Sequence, residues 1–174
     1  MKKNRLRAWF VEGMLLALVV IAVYAFTQWR GEATTVPQHF PALMLQNTQG
    51  RWLHYQPTPG QITLVNFWSP DCPPCIAEIP ALNTLQNWLG SKQFTVLGIA
   101  VAGNAPQAVA QARAHWNISY PLYVDGDGEA SRLLGGVTLT PTSLLINGQG
   151  HIVGRYVGAI SLPVVVGRLL WMSL

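Results

Sequence analysis

The stretch Asn66-Phe67-Trp68-Ser69-Pro70-Asp71-Cys72-Pro73-Pro74-Cys75 holds both cysteines of a 174-residue chain. It closes an apolar run, Ile62–Trp68 (ITLVNFW), which barely alternates. Such a run predicts a strand buried on both faces. Beyond it the period changes, and Ile79, Leu82, Leu85 and Leu89 recur at helical spacing before Gly90. A helix is expected from about Pro74 to Leu89, with Gly90 ending it. The cysteines therefore sit at a strand–helix junction. Free backbone N–H groups and the helix dipole favour an anion there, so Cys72 should reach its thiolate near neutral pH. Cys75, three residues on, is within disulfide reach. The chemistry this predicts is exchange: the first thiolate attacks a substrate disulfide and the second resolves the mixed disulfide.

Other uses of two cysteines fit less well. A four-cysteine zinc or iron–sulfur site is excluded by count. His39, His54, His115 and His151 are scattered in sequence and show no paired metal-ligand spacing. A c-type haem site needs histidine after the second cysteine, where Ile76 stands. An inert Cys-x-x-Cys disulfide closes too short a loop to stabilise much.

Working outward, half the residues are hydrophobic and 10% are charged, which excludes a disordered chain. The formal charge is +4, and Lys2, Lys3, Arg5 and Arg7 supply it. From Arg30 onward seven Lys/Arg face six Asp/Glu, with no basic aromatic cluster, so no nucleic-acid partner is expected. Residues 8–29 run 22 positions with Glu12 as the sole charge and Trp9 and Trp29 near the ends. At about 1.5 Å per residue a helix of that length crosses roughly 30 Å of hydrocarbon. The expected order is a basic cytoplasmic N-terminus (1–7), a transmembrane signal-anchor (8–29), a linker (30–39) and a domain (40–174) outside the cytoplasm. A cleaved signal peptide is the competing reading, ending near Ala25 or Ala33. Either way the domain is exported to where an oxidised pair survives.

Ala42–Gln46 and Trp52–Tyr55 flank the turn Asn47-Thr48-Gln49-Gly50, a hairpin composition. Phe94–Ala100 reads as a second buried strand. Asn104 is expected to cap a helix running to about Trp116, with Pro106 in its first turn. A short strand (Leu122–Val124), a turn (Asp125-Gly126-Asp127-Gly128) and a short helix to Leu134 follow. Ser143–Ile146 and Ile152–Val157 flank Asn147-Gly148-Gln149-Gly150, a second hairpin. A last helix is expected after Ser161. Alternating strands and helices that end in a hairpin and a helix predict an α/β domain with a mixed sheet.

The segment Asn66–Cys75, followed by Glu78 and Pro80, resembles the active-site segment of the thioredoxin superfamily. It is most similar to the membrane-anchored, exported branch of TlpA, ResA, DsbE (CcmG) and ScsD-like proteins. Thr140-Pro141-Thr142 and the hairpin after it resemble that family's cis-proline strand, and Val157-Gly158-Ala159 its next segment. The match runs in order from about Pro41 to Trp171. The resemblance implies a thioredoxin fold: a mixed central sheet flanked by helices, an N-terminal β-hairpin, and a central α/β insert over about Ala102 to Leu134. It makes Cys72 the nucleophile and Cys75 the resolving thiol. It makes Pro141 cis and facing the pair, with Thr140 offering backbone hydrogen bonds to a substrate peptide. Trp68, Pro70 and Gly158 would line the same groove, and Pro80 would kink the helix. Implied partners are thiols and disulfides of exported proteins, such as apocytochrome c or copper-handling proteins, and a DsbD-type membrane electron donor. Neither cofactor nor metal is implied.

Glu78, three residues after Cys75, has two readings: a proton acceptor for Cys75 during resolution, or an acid complementing the helix dipole. Asn66 stands where cytoplasmic thioredoxins carry a buried acid. The branch usually has an aromatic residue before the first cysteine, where this chain has Asp71. A carboxylate there disfavours the Cys72 thiolate. Pro73 and Pro74 remove two backbone donors. These three residues tune the pair toward reduction and away from strong oxidation. The alternative function is a soft-metal module that holds Cu(I) on the same cysteines.

Overall fold

The computed structural model describes residues 14–15, 18–22, 36–90 and 93–172, without the side chains of 170–172. Two units separate, Met1–Glu32 and Ala33–Leu174. In the first, the described positions are helical and exposed. Among the described residues no helix is long and apolar enough to cross a membrane. The span expected over 8–29 lies largely outside the described residues, as do positions 30–35 of the linker.

In the second unit the chain runs β1 (Leu43–Gln46), β2 (Trp52–Tyr55), β3 (Ile62–Trp68), α1 (Pro73–Leu89), β4 (Phe94–Ala100), α2 (Pro106–His115), β5 (Leu122–Val124), α3 (Glu129–Leu133), β6 (Thr142–Ile146), β7 (Ile152–Val157) and α4 (Leu162–Met172). The strands form one sheet in the order β2-β1-β5-β4-β3-β6-β7. β3, β4 and β5 are parallel, and α1 and α2 provide the crossovers that parallel neighbours need. β6 and β7 continue antiparallel on one side, and the β1–β2 hairpin closes the other. The mixed sheet, the N-terminal hairpin and the insert carrying β5 are those expected from the sequence. Both hairpin turns are held by asparagine. Asn47 Oδ1 accepts the N–H groups of Gln49 and Arg51, and Asn147 Oδ1 those of Gln149 and His151.

Burial on both faces explains why β3 reads as one apolar run. Leu64 and Trp68 pack with Cys75, Ile79, Leu82 and Leu85 of α1. Val65 and Phe67 pack on the opposite face with Leu45, Leu97, Leu134 and Leu144. The Trp68 ring needs Gly98 on the neighbouring strand. A Cβ there would lie 2.5 Å from Leu122 and 3.3 Å from Trp68 Nε1.

The expected Asn104 cap is not the one that forms. Ala105 is the N-cap of α2 and makes no side-chain cap bond. The Asn104 side chain instead donates to Val101 O at 2.8 Å and accepts from Ser69 Oγ at 3.1 Å. Two local partners beside the strand end outcompete the helix amides for it. Asp125, read in the sequence as a turn residue, is wholly buried, and its two oxygens accept the Ala130 and Ser131 N–H groups at 2.9 and 2.8 Å. Those amides open α3, a helix too short to hold itself. Asp125→Ala leaves the donors without a partner and should lower stability by about 1–3 kcal/mol in urea denaturation.

Candidate active site

β3 delivers the chain to the site and α1 takes it away. Trp68 O accepts the Val101 N–H at 3.0 Å, which ties the strand end to the loop after β4. Cys72 is the N-cap of α1, in extended backbone. Pro73 and Pro74 fill the first helical positions, where proline's fixed φ suits a helix start and its missing N–H costs nothing. The first amide left to donate is that of Cys75, 3.3 Å from Cys72 Sγ. The cysteines are joined in a disulfide with their Cα atoms 5.2 Å apart. Cys75 is 1% exposed, whereas Cys72 is half-buried. Only one of the two sulfurs is thus open to attack from outside.

Across from the pair lies the turn into β6. The Thr140–Pro141 peptide bond is cis, and Thr140 O lies 3.6 Å from Cys72 Sγ. Pro141 O accepts the Gly158 N–H at 2.8 Å, and Gly158 has a positive φ of 92° that favours glycine. Leu139 and Val157, either side of this turn, are 64% and 46% exposed, so the mouth of the site is apolar.

Three residues along α1 from Cys75 lies a buried carboxylate. Glu78 is 4% exposed. Its Oε1 accepts from Asn66 Nδ2 at 2.6 Å and its Oε2 from the Ile160 N–H at 3.0 Å. Asn66 Nδ2 also donates to Ser143 Oγ at 3.0 Å, its register partner on β6. Burial pushes the Glu78 pKa above its ordinary value, and the two hydrogen bonds pull it only part of the way back. Burial likewise raises the Tyr120 hydroxyl, and the nearby Glu78 charge adds to it. The position where an acid was missing on β3 thus holds an amide that binds an acid from α1.

The residues singled out in the sequence divide by depth. Cys72, Pro70, Thr140 and Gly158 are half-buried, and Pro141 is buried. Asp71, Pro73 and Pro74 are exposed beside Cys72. Trp68 is 1% exposed, so it lies under the groove and not on its surface. Pro80 is inside α1, which runs through it. The sequence reading missed Ser143 and the Ile160 amide. The Asn66–Ser143 pairing follows only from strand register, and nothing in the local sequence marks a backbone donor such as Ile160.

The Redoxin family model matches residues 35–166. The thiol-disulfide oxidoreductase ResA of Bacillus thuringiensis subsp. konkukian is 25% identical over 163 residues, 91% of each chain. A thiol:disulfide interchange protein DsbE homolog of Paracoccus denitrificans is 33% identical over 102 residues, 59% of this chain and 53% of that one. Among solved structures, a thiol:disulfide interchange protein of the thioredoxin family from Chlorobium tepidum aligns with a TM-score of 0.66 at 29% identity. It covers 80% of this chain and 98% of that one.

Proposed function

The chain belongs to the Redoxin family as a thiol–disulfide oxidoreductase of the ResA and DsbE type, and from that membership we propose that it reduces disulfides in other extracytoplasmic proteins while tethered to a membrane. Residues 1–7 stay in the cytoplasm, 8–29 span the bilayer of the bacterial inner membrane, 30–39 link, and 40–174 work outside. The observation that carries the reading is the half-open Cys72 joined to a closed Cys75 and facing Thr140-Pro141.

The steps balance without a cofactor. The Cys72 thiolate attacks a substrate disulfide, forming a mixed disulfide and expelling one substrate thiolate. The substrate backbone lies against Thr140, over the apolar rim, with Pro70, Pro141 and Gly158 shaping the groove. Cys75 then loses its proton to Glu78 and attacks Cys72. The substrate leaves as a dithiol, and the Cys72–Cys75 disulfide remains. Two electrons have passed to the substrate, and a DsbD-type membrane donor returns them. Substrates of this class include apocytochrome c and thiol proteins of copper handling.

Asp71 and the two prolines support the reductive direction. Of the first three helical amides only that of Cys75 can donate to Cys72 Sγ, because Pro73 and Pro74 have none. A poorly stabilised thiolate makes the dithiol form a better reductant. The full chain in detergent should reduce insulin, and its reduction potential should lie well below the strongly oxidising value of about −120 mV. A potential near that value overturns the reductive direction. Tight Cu(I) binding with no insulin reduction would favour the soft-metal module instead.

A further inference from the structure

His39 and His151 are 112 positions apart in sequence, yet the fold brings them together. They form an isolated antiparallel bridge between the segment entering the domain and the β6–β7 hairpin. The bonds that make the bridge flank the pair: Phe40 N–H donates to Gly150 O and Ile152 N–H to Gln38 O, each at 2.9 Å. The two histidines are therefore a non-hydrogen-bonded pair, the antiparallel arrangement in which opposite side chains approach most closely. Their ring centroids are 3.9 Å apart, tilted by 42°, and both residues are exposed.

We propose that His39 and His151 form a surface site for one divalent transition-metal ion of the zinc and copper class. Imidazole is a preferred ligand for those ions. At metal–nitrogen distances of about 2.0–2.1 Å, two nitrogens on a tetrahedral ion lie roughly 3.4 Å apart. Two imidazoles on one such ion would have their ring centres about 5 Å apart. The rings, now 3.9 Å apart, must therefore swing outward by about an ångström about their side-chain torsions to present both nitrogens. The backbone bridge holds both Cβ atoms, so little ordering is left to be done on binding. Among the described residues no group of three or more His, Cys, Asp or Glu is placed to hold a metal. The proposed site therefore consists of the two imidazoles, with water as the complementing ligand.

The site stands apart from the redox pair. β6 leaves the cis-proline turn and reaches the hairpin five residues later, about 17 Å on at strand rise. An ion there would fasten residues 38–40 to the hairpin, at the point where the linker meets the domain. No electron transfer is involved.

The test uses the untagged full-length chain in detergent with its disulfide intact, so that the cysteines cannot bind the probe. Zinc ion is titrated in competition with a chromophoric chelator. One zinc per chain is expected, and His39→Gln and His151→Gln should each weaken binding at least about tenfold. His54→Gln and His115→Gln should leave the affinity unchanged, and all four variants should reduce insulin as the parent does. Cupric ion should bind more tightly than zinc and lose affinity in the same two variants. Zinc should also slow hydrogen exchange at the Phe40 and Ile152 amides in the parent and not in the two weakened variants. Absence of stoichiometric zinc binding, or equal affinity in His39→Gln and His151→Gln, would reduce the pair to a ring contact and overturn the proposal.

Discussion

Cys72→Ser should bring insulin reduction down to the uncatalysed background, and Cys75→Ala should leave the chain covalently joined to its substrates. The difference follows from where each sulfur lies. Cys72 is half-buried and faces Thr140 O at 3.6 Å, so it can meet an incoming disulfide. Cys75 is 1% exposed and can meet only Cys72. A serine hydroxyl at position 72 has no accessible anion near neutral pH and cannot open a disulfide. An alanine at position 75 leaves the first attack intact and removes the second, so mixed disulfides accumulate. Non-reducing gels of membranes that carry Cys75→Ala would display these adducts, and their reduction by dithiothreitol would release the partners. Equal adduct formation by Cys72→Ala and Cys75→Ala would assign the attack to the wrong sulfur. The cost to the fold should be small, because the disulfide spans three residues and constrains little of the unfolded chain.

Much of this arrangement was legible in the sequence because single segments encode it. ITLVNFW reads as a strand buried on both faces and is one. The two turns that open on asparagine mark their hairpins because that asparagine's side chain caps each turn from within. The cysteine spacing places both sulfurs at one helix start. What stayed hidden depends on contacts between segments distant in sequence. Asn104 has the composition of a cap, but Ser69 and Val101 take up its side chain. The resemblance puts Trp68 on the groove, and only the depth of the central strand shows that its ring is buried in the core. His39 and His151 have no paired spacing, and the bridge that joins them depends on how the linker enters the sheet. The partners of Glu78 come from β3 and from the turn before α4, so its charge environment could not be read from α1 alone.

Glu78→Gln should separate the two readings of that residue, because each makes a different measurement move. As the acceptor of the Cys75 proton, Glu78 contributes a general-base effect, and its loss should slow resolution of the mixed disulfide by about a hundredfold or more. The dipole reading does not survive the fold, because α1 starts at Pro73 and has no acid in its first turn. As a purely structural acid held by Asn66 and the Ile160 N–H, Glu78 would leave that rate unchanged at every pH. Stability should move as well, with a sign fixed by burial. The folded pKa of Glu78 is raised, first by desolvation, with the Ile160 and Asn66 bonds opposing. The unfolded chain therefore releases this proton near pH 4.3, before the folded chain does. From there up to the raised folded value the native state holds more protons, so this group's contribution to stability falls as pH rises and then levels off. Glutamine carries no charge to desolvate. It can still accept the Ile160 N–H, and a rotated Asn66 amide can accept from it. Measured in urea, the stability of Glu78→Gln relative to the parent should therefore increase from pH 4 to pH 7.5. A difference that stays constant over that range would mean the buried carboxylate titrates alike in both states. The charge that a neutral-pH proton acceptor must keep in a dry site would then cost the fold nothing. A slow, pH-insensitive resolution step together with a stability gain at neutral pH would place the cost and the use of the charge on the same carboxylate.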